Sequence, residues 1–388
     1  MKKFPDGFLW GASTSSMQVE GGIENNDWAE AARLGKTPPM GLACDHYNRF
    51  EEDLDIVQSL HHNAFRFSIE WARIEPKEGV FDEKELAHYR DVVRACRVRG
   101  LEPFVCIWHF SLPLWFVQRG SFGKKDSPDI FARYAKKVAE TLGDEVKFYL
   151  TINEPLVWVG EHGKILGGTP GFSPNPFLGL HYLHQLIRAH KSAYAVIKSL
   201  NPHAHVGVAK HNFSFVGVGF LGNIVAGVSQ YLWNRYFLNA LIGYQDFIGI
   251  QFYQRLFFWQ SKTEEQAAPK SDIGWQLHPE GIYDVLKEAS RYTLPIYITE
   301  SGVADAKDQF RREFIVESLR AVHRAIDDGV DVRGYLHWSL LDNYEFQHGF
   351  SMKFGLVHVD HEQGQKRTVR SSAQAYADIV KDNSRLRT

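Results

Sequence analysis

Two glutamates stand out by where they fall in the chain. Glu154 follows Lys147-Phe148-Tyr149-Leu150-Thr151-Ile152-Asn153, and Glu300 follows Ile296-Tyr297-Ile298-Thr299. Both runs are apolar, aromatic or β-branched, the pattern of a strand buried on both faces. A carboxylate at the end of such a strand loses hydration, so it needs a partner or a task. Two carboxylates delivered by two strands suit paired-acid chemistry, in which one group holds a proton while the other stays ionised. Cleavage of a glycosidic bond is a reaction built in that way.

The elements that would position them recur along the chain. Candidate strands cover residues 8–12, 64–68, 103–109, 147–153, 205–211, 247–252, 296–300 and 333–339. Helical periodicity fills the gaps. Leu86, Tyr89, Val93 and Cys96 share one face before Gly100; Ile130, Tyr134 and Val138 do so before Gly143; Phe314, Leu319, Val322 and Ile326 do so before Gly329. Eight strand-then-helix units with continuous apolar strands predict an α/β fold, a closed parallel (β/α)8 TIM barrel. No linker, repeat or low-complexity stretch divides the chain, so residues 1–388 read as one domain.

In such barrels the working face lies at the C-terminal ends of the strands. Those ends carry Arg66, His109, Asn153 with Glu154, His211 with Asn212, Tyr253, Glu300 and Trp338, and the first loop adds Gln18 and Glu20. Hydrogen-bonding groups, two acids and an aromatic face at one mouth suit a polyhydroxylated ring.

Composition sets the bounds. The 388 residues are 44% apolar and 23% charged, an ordinary globular balance with ample material for a core. Net charge is −2, and no basic run argues for nucleic acid. Cys44, Cys96 and Cys106 are odd in number and lack CxxC spacing, which argues against a disulfide scaffold or zinc site and fits a reducing cytoplasm. The N-terminal residues show no apolar stretch of a signal peptide. His61-His62 and His203 with His205 lack accompanying carboxylates and read as surface histidines rather than metal ligands. Cys106 falls within a buried strand and reads as a core thiol.

Residues 213–233 are almost wholly apolar, with Gly217, Gly219, Gly222 and Gly227 among them. The stretch has the length of a membrane span, but four glycines make a poor isolated helix. A buried loop and helix is the plainer reading; membrane contact or a homo-oligomer interface are the alternatives.

Several long motifs, in order, resemble glycoside hydrolase family 1, the β-glucosidase and β-galactosidase type. Phe4-Pro5-Asp6-Gly7-Phe8-Leu9-Trp10-Gly11-Ala12, continuing to Gln18-Val19-Glu20-Gly21, is similar to its N-terminal motif. Asn63-Ala64-Phe65-Arg66-Phe67-Ser68-Ile69-Glu70-Trp71 is similar to its second-strand motif. Asn153-Glu154-Pro155 and Thr299-Glu300-Ser301-Gly302 resemble its catalytic motifs, and Trp338 to Glu345 its last-strand motif. The resemblance implies Glu154 as acid/base and Glu300 as nucleophile of a retaining mechanism, with Arg66 and Tyr253 holding Glu300 ionised. It implies Gln18, His109, Asn153 and Glu345 as sugar-hydroxyl ligands, Asn153 on the 2-hydroxyl, Trp338 as the floor under the ring, and no metal or organic cofactor. The implied partner is a small-molecule or oligosaccharide β-glycoside.

Three departures bear on substrate. Phe346 stands where the family usually has Trp, which removes an indole donor near the 3-hydroxyl. Gln251 replaces a usual Asn. The chain is tens of residues shorter than usual, and the loss falls between Asn212 and Gln251 and after Tyr253, so shortened βα segments and a more open aglycone side are expected. A transglycosidase using a non-water acceptor shares these features. A non-catalytic carbohydrate-binding relative would lack one of the glutamates. A 6-phosphoglycosidase is disfavoured because Glu345 would repel a phosphate.

Overall fold

The computed structural model describes residues 3–161, 176–259 and 269–382. Eight parallel strands close into a barrel: β1 (Leu9–Ser13), β2 (Ala64–Ser68), β3 (Glu102–Trp108), β4 (Phe148–Asn153), β5 (His205–His211), β6 (Phe247–Phe252), β7 (Ile296–Ser301) and β8 (Val332–Trp338). Each hydrogen-bonds its sequence neighbours, and β8 closes on β1 with Leu9 opposite Gly334 and Ser13 opposite Trp338. The eight expected strands are therefore the eight barrel strands, with ends displaced by no more than a residue or so.

The barrel interior is filled, not open. Phe104 stacks on Phe148 at 4.4 Å between ring centroids, and Phe247 and Tyr297 meet both edge-on. With Ala64, Cys106, Leu150, Ala209 and Leu336 they form an apolar plug inside the barrel. Cys106 is thus a core thiol, fully buried.

Amphipathic helices form the outer ring. Glu83–Val98 shows how the sequence builds one. The Asp82 carboxylate accepts from the Lys84 and Glu85 amides, Leu86, Tyr89, Val93 and Cys96 turn inward, and Gly100 at φ +72° ends it. Between β6 and β7 the only α-helix among the described residues is the eight-residue Ile282–Ala289. That is a shortened βα segment in the expected region. Residues 260–268, in the same connection, lie outside the described residues.

Two expectations need correction. His62 is not a surface histidine: its ring is buried 4.9 Å from Tyr376, under the helix Ser371–Asp382, and burial pulls its pKa down to about 3. His61 and His203 are exposed. The apolar segment 213–233 is not a buried loop and helix either. It forms a short strand, Ser214–Gly217, paired with Arg255–Phe258, then a helix, Gly219–Ser229, continued by Gln230–Arg235, and most of its large side chains face solvent. Gly222 and Ala226 are its buried helical positions, Phe213 and Trp233 pack on His211, and Gly219 and Gly227 are exposed.

Candidate active site

A cavity of about 450 Å³ opens at the C-terminal ends of the strands. Gln18, His109, Glu154, Tyr253, Glu300, Trp338, Glu345 and Phe346 all line it. Arg66 and Asn153 lie directly behind, fully buried, and touch the lining groups.

Glu154 sits in the joint between β4 and the short helix Pro155–Gly160. Pro155 has no amide hydrogen to continue the ladder but suits the first turn of a helix. The joint places Glu154 at φ +41°, with its amide donating to Ala209 O at 2.8 Å. Its Oε1 is buried and has no hydrogen-bond partner among the described residues.

Glu300 is held far more tightly. Arg66 Nη1 donates to its Oε1, and the Tyr253 hydroxyl donates to Oε2 at 2.7 Å. The chain can leave this position only through Gly302. A Cβ there would lie 1.8 Å from the Trp338 carbonyl oxygen.

The two acids differ in electrostatics as well. Burial pushes both carboxyls above the ordinary range. For Glu154 the neighbouring Glu300 charge adds to that rise, and its pKa lies well above the usual value. For Glu300 the Arg66 charge and the Tyr253 hydrogen bond pull back against burial, which leaves a smaller rise. Both neighbours favour the charged form of Glu300. Their pull does not outweigh the loss of hydration, so the net shift is upward.

A second network fixes the polar wall. Asn153 Oδ1 accepts from Arg66 Nη2 at 2.5 Å and from Gln251 Nε2 at 2.8 Å. Its amide nitrogen then faces His109 Nε2 at 3.2 Å. The His109 and Trp338 rings lie nearly parallel, 20° apart, with centroids at 5.9 Å. Trp338 Nε1 donates to Glu345 Oε1 at 3.3 Å, and burial lifts the Glu345 pKa to about 8. Glu345 is therefore a half-buried, hydrogen-bonded acid rather than a freely solvated one, and near neutral pH it can donate as well as accept. Gln18 bonds Ser15 and Asn343. Phe346, at φ +46°, packs on Trp28 at 4.6 Å.

Of the other strand-end residues, His211 lines the cavity, while Asn212 is buried. Glu20 turns away to Arg73 at 2.8 Å and the Tyr89 hydroxyl at 2.8 Å. Strand ends alone did not reveal Gln251 as a buttress of Asn153; the signal was a polar residue inside an otherwise apolar strand. They also missed Phe213, Trp233 and Trp275, which line the mouth from the loops and helices beyond the strands.

A (β/α)8 barrel with two buried carboxyls facing one cavity defines a glycoside-cleaving class of enzyme. The sequence matches the model of glycosyl hydrolase family 1 over residues 1–216 and 235–385. It is 32% identical to beta-glucosidase A of Thermotoga maritima, with 99% of each chain covered. Among solved structures, the beta-glycosidase from Pyrococcus horikoshii is 36% identical with a TM-score of 0.88, over 98% of this chain and 95% of that one. The Thermotoga maritima beta-glucosidase in complex with glucoimidazole gives 0.90 at 30% identity, over 99% and 100%. The chain belongs to glycosyl hydrolase family 1 and is a β-glycosidase.

Proposed function

We propose that the protein hydrolyses β-linked glucosides, galactosides or related glycosides with retention of configuration. The observation that carries this reading is the unequal support of the two acids. Of the two, Glu300 alone receives the Arg66 and Tyr253 donors, whereas Glu154 has a buried Oε1 with no hydrogen-bond partner among the described residues. The better-stabilised carboxylate, Glu300, attacks the anomeric carbon, and Glu154 donates its proton to the departing glycosidic oxygen. The C1–O bond to the aglycone breaks as the bond to Glu300 forms. Glu154, now ionised, takes a proton from water, which attacks C1 and releases Glu300. Asn153, His109, Gln18 and Glu345 hold the sugar hydroxyls, and Trp338 carries the ring face.

Glu300→Ala with added azide tests the assignment. A small anion can enter the space left by the carboxylate and attack from the same face. The expected result is loss of hydrolysis, with azide-dependent turnover giving an α-glycosyl azide. Substantial activity without azide would remove Glu300 from this role. An added alcohol acceptor, with the products separated, tells hydrolysis from transglycosylation in the parent enzyme.

A further inference from the structure

The helix Gly219–Ser229 and its continuation Gln230–Arg235 are built inside out. Small residues face the protein. A Cβ on Gly217 would lie 2.1 Å from the Gly222 carbonyl carbon, and one on Gly222 would lie 3.2 Å from Phe258 O. The helix therefore rests almost backbone to backbone on the two short strands Ser214–Gly217 and Arg255–Phe258, with Ala226 also buried. The large side chains point the other way. Phe220 is 81% exposed and Leu221 67%, and Ile224, Val228, Tyr231 and Leu232 are each about half exposed. Small residues at the packing face and bulky apolar ones outside is how helices pack in lipid, the reverse of a water-soluble helix.

The surface lies where the general family pattern lapses. The family match breaks off at residue 216 and resumes at 235. Between residues 211 and 234 there is no Asp, Glu, Lys or Arg. The six outward side chains lie along one side of the helix and together expose at least as much apolar surface as the largest patch of a typical monomer, about 300–600 Å². A specific protein interface of standard size, roughly 800 Å² per partner, also carries several direct hydrogen bonds, and this face offers few groups to make them. The segment also runs into the catalytic mouth, since Phe213 and Trp233 line the cavity.

We propose that this helix docks onto a lipid bilayer and holds the mouth of the active site at the membrane surface. Among the described residues no helix is long and apolar enough to cross a membrane, so the contact is interfacial. The attraction is apolar, because the face carries no cation. The inference rests on the surface rather than on the catalytic reading.

The test is co-flotation of the full-length protein with phosphatidylcholine vesicles at low and high salt. The comparison variant is Phe220→Ser/Leu221→Ser/Ile224→Ser, altered only at exposed positions. Hydrolysis of a soluble aryl β-glucoside reports on its fold. The parent protein is expected to float with the vesicles, with little change on adding salt. The variant is expected to partition at least about tenfold less while keeping its aryl-glucosidase rate. The proposal is overturned if the parent protein stays unbound, if the variant floats equally well, or if binding requires anionic lipid and disappears in salt. It is also overturned if the parent is a dimer that the substitutions dissolve and neither form binds vesicles. Absence of aryl-glucosidase activity in the parent would instead count against the proposed function and leave the flotation result standing.

Discussion

Gln251 reaches across the barrel mouth from β6 to β4 and donates to Asn153 Oδ1 at 2.8 Å. Because Arg66 occupies the same oxygen, the Asn153 carbonyl is used up and its amide nitrogen is turned toward His109, which lines the cavity. Gln251 is thus a positioning residue for the group proposed to hold the 2-hydroxyl. In Gln251→Ala, kcat/KM on an aryl β-glucoside should fall by about 5- to 12-fold, the equivalent of one hydrogen bond of about 1–1.5 kcal/mol. The loss should shrink on the 2-deoxy substrate, where Asn153 has nothing to hold. Equal losses on both substrates would mean that Gln251 acts only on the fold.

Tyr253 predicts a shift in the acid limb of the pH profile. Its hydroxyl donates to Glu300 Oε2, and burial keeps its own pKa well above the ordinary value, so it remains a donor at working pH. A donor to a carboxylate favours the ionised form. Removing it in Tyr253→Phe raises the Glu300 pKa further, and the proposed nucleophile then ionises only at higher pH. A bond to a charged group is worth about 1.5–3 kcal/mol, so the acid limb of kcat/KM should move up by roughly 1–2 pH units. An unmoved limb would show that a different group controls it.

Glu345 links the site to stability. Its pKa in the folded protein is about 8, whereas the unfolded chain titrates near 4.3. Between those values the folded state holds a proton that the unfolded state has released, so stability falls as pH rises through this window. Glu345→Gln has no such proton to lose. The Tm of the variant minus that of the parent should therefore become more positive from pH 5 to pH 8, on the order of 2 °C for each kcal/mol recovered. A constant difference across the range would show that Glu345 ionises normally.

The barrel strands were legible because each is a short apolar run buried on both faces and separated from the next by helical periodicity. The two acids were legible because carboxylates at the ends of such runs are costly. What lay outside this logic was missed. The strands Ser214–Gly217 and Arg255–Phe258 are four residues each and pair across some forty residues of chain, too short and too distant for periodicity to register. His62 read as polar and therefore exposed, but its position is set by packing against a helix more than 300 residues away. Segment 213–233 misled for a related reason. Apolar composition predicts burial, and only the Gly217–Gly222 contact shows that the helix is turned outward.

Phe346 marks a gap in the polar wall. It is buried against Trp28 and lines the cavity next to Glu345. Phe346→Trp restores an indole N–H at that wall. One neutral hydrogen bond contributes about 0.5–1.5 kcal/mol, so relative kcat/KM among gluco-, galacto- and fuco-configured aryl glycosides should change by roughly 2- to 12-fold. If the ranking and spacing of the three are unaltered, position 346 does not read the 3- or 4-hydroxyl.

The mouth beyond the sugar makes the last prediction. Phe213 and Trp233 stand 5.3 Å apart between ring centroids, and both line the cavity, as does Trp275. On the proposed roles, an alkyl aglycone leaving the site past Glu154 would meet these rings rather than water. Each methylene fully buried there would contribute about 0.8 kcal/mol, close to fourfold in binding, and partial burial gives less. Along a series of alkyl β-glucosides, kcat/KM should therefore rise with chain length until the tail outgrows the rings. The gain should appear mainly in KM, because the contact is the same before and during bond cleavage. Trp233→Ala should flatten the series while leaving methyl β-glucoside nearly unchanged. A steady fall in kcat/KM with chain length in the parent enzyme, unaffected by the substitution, would show that the apolar mouth does not contact the aglycone.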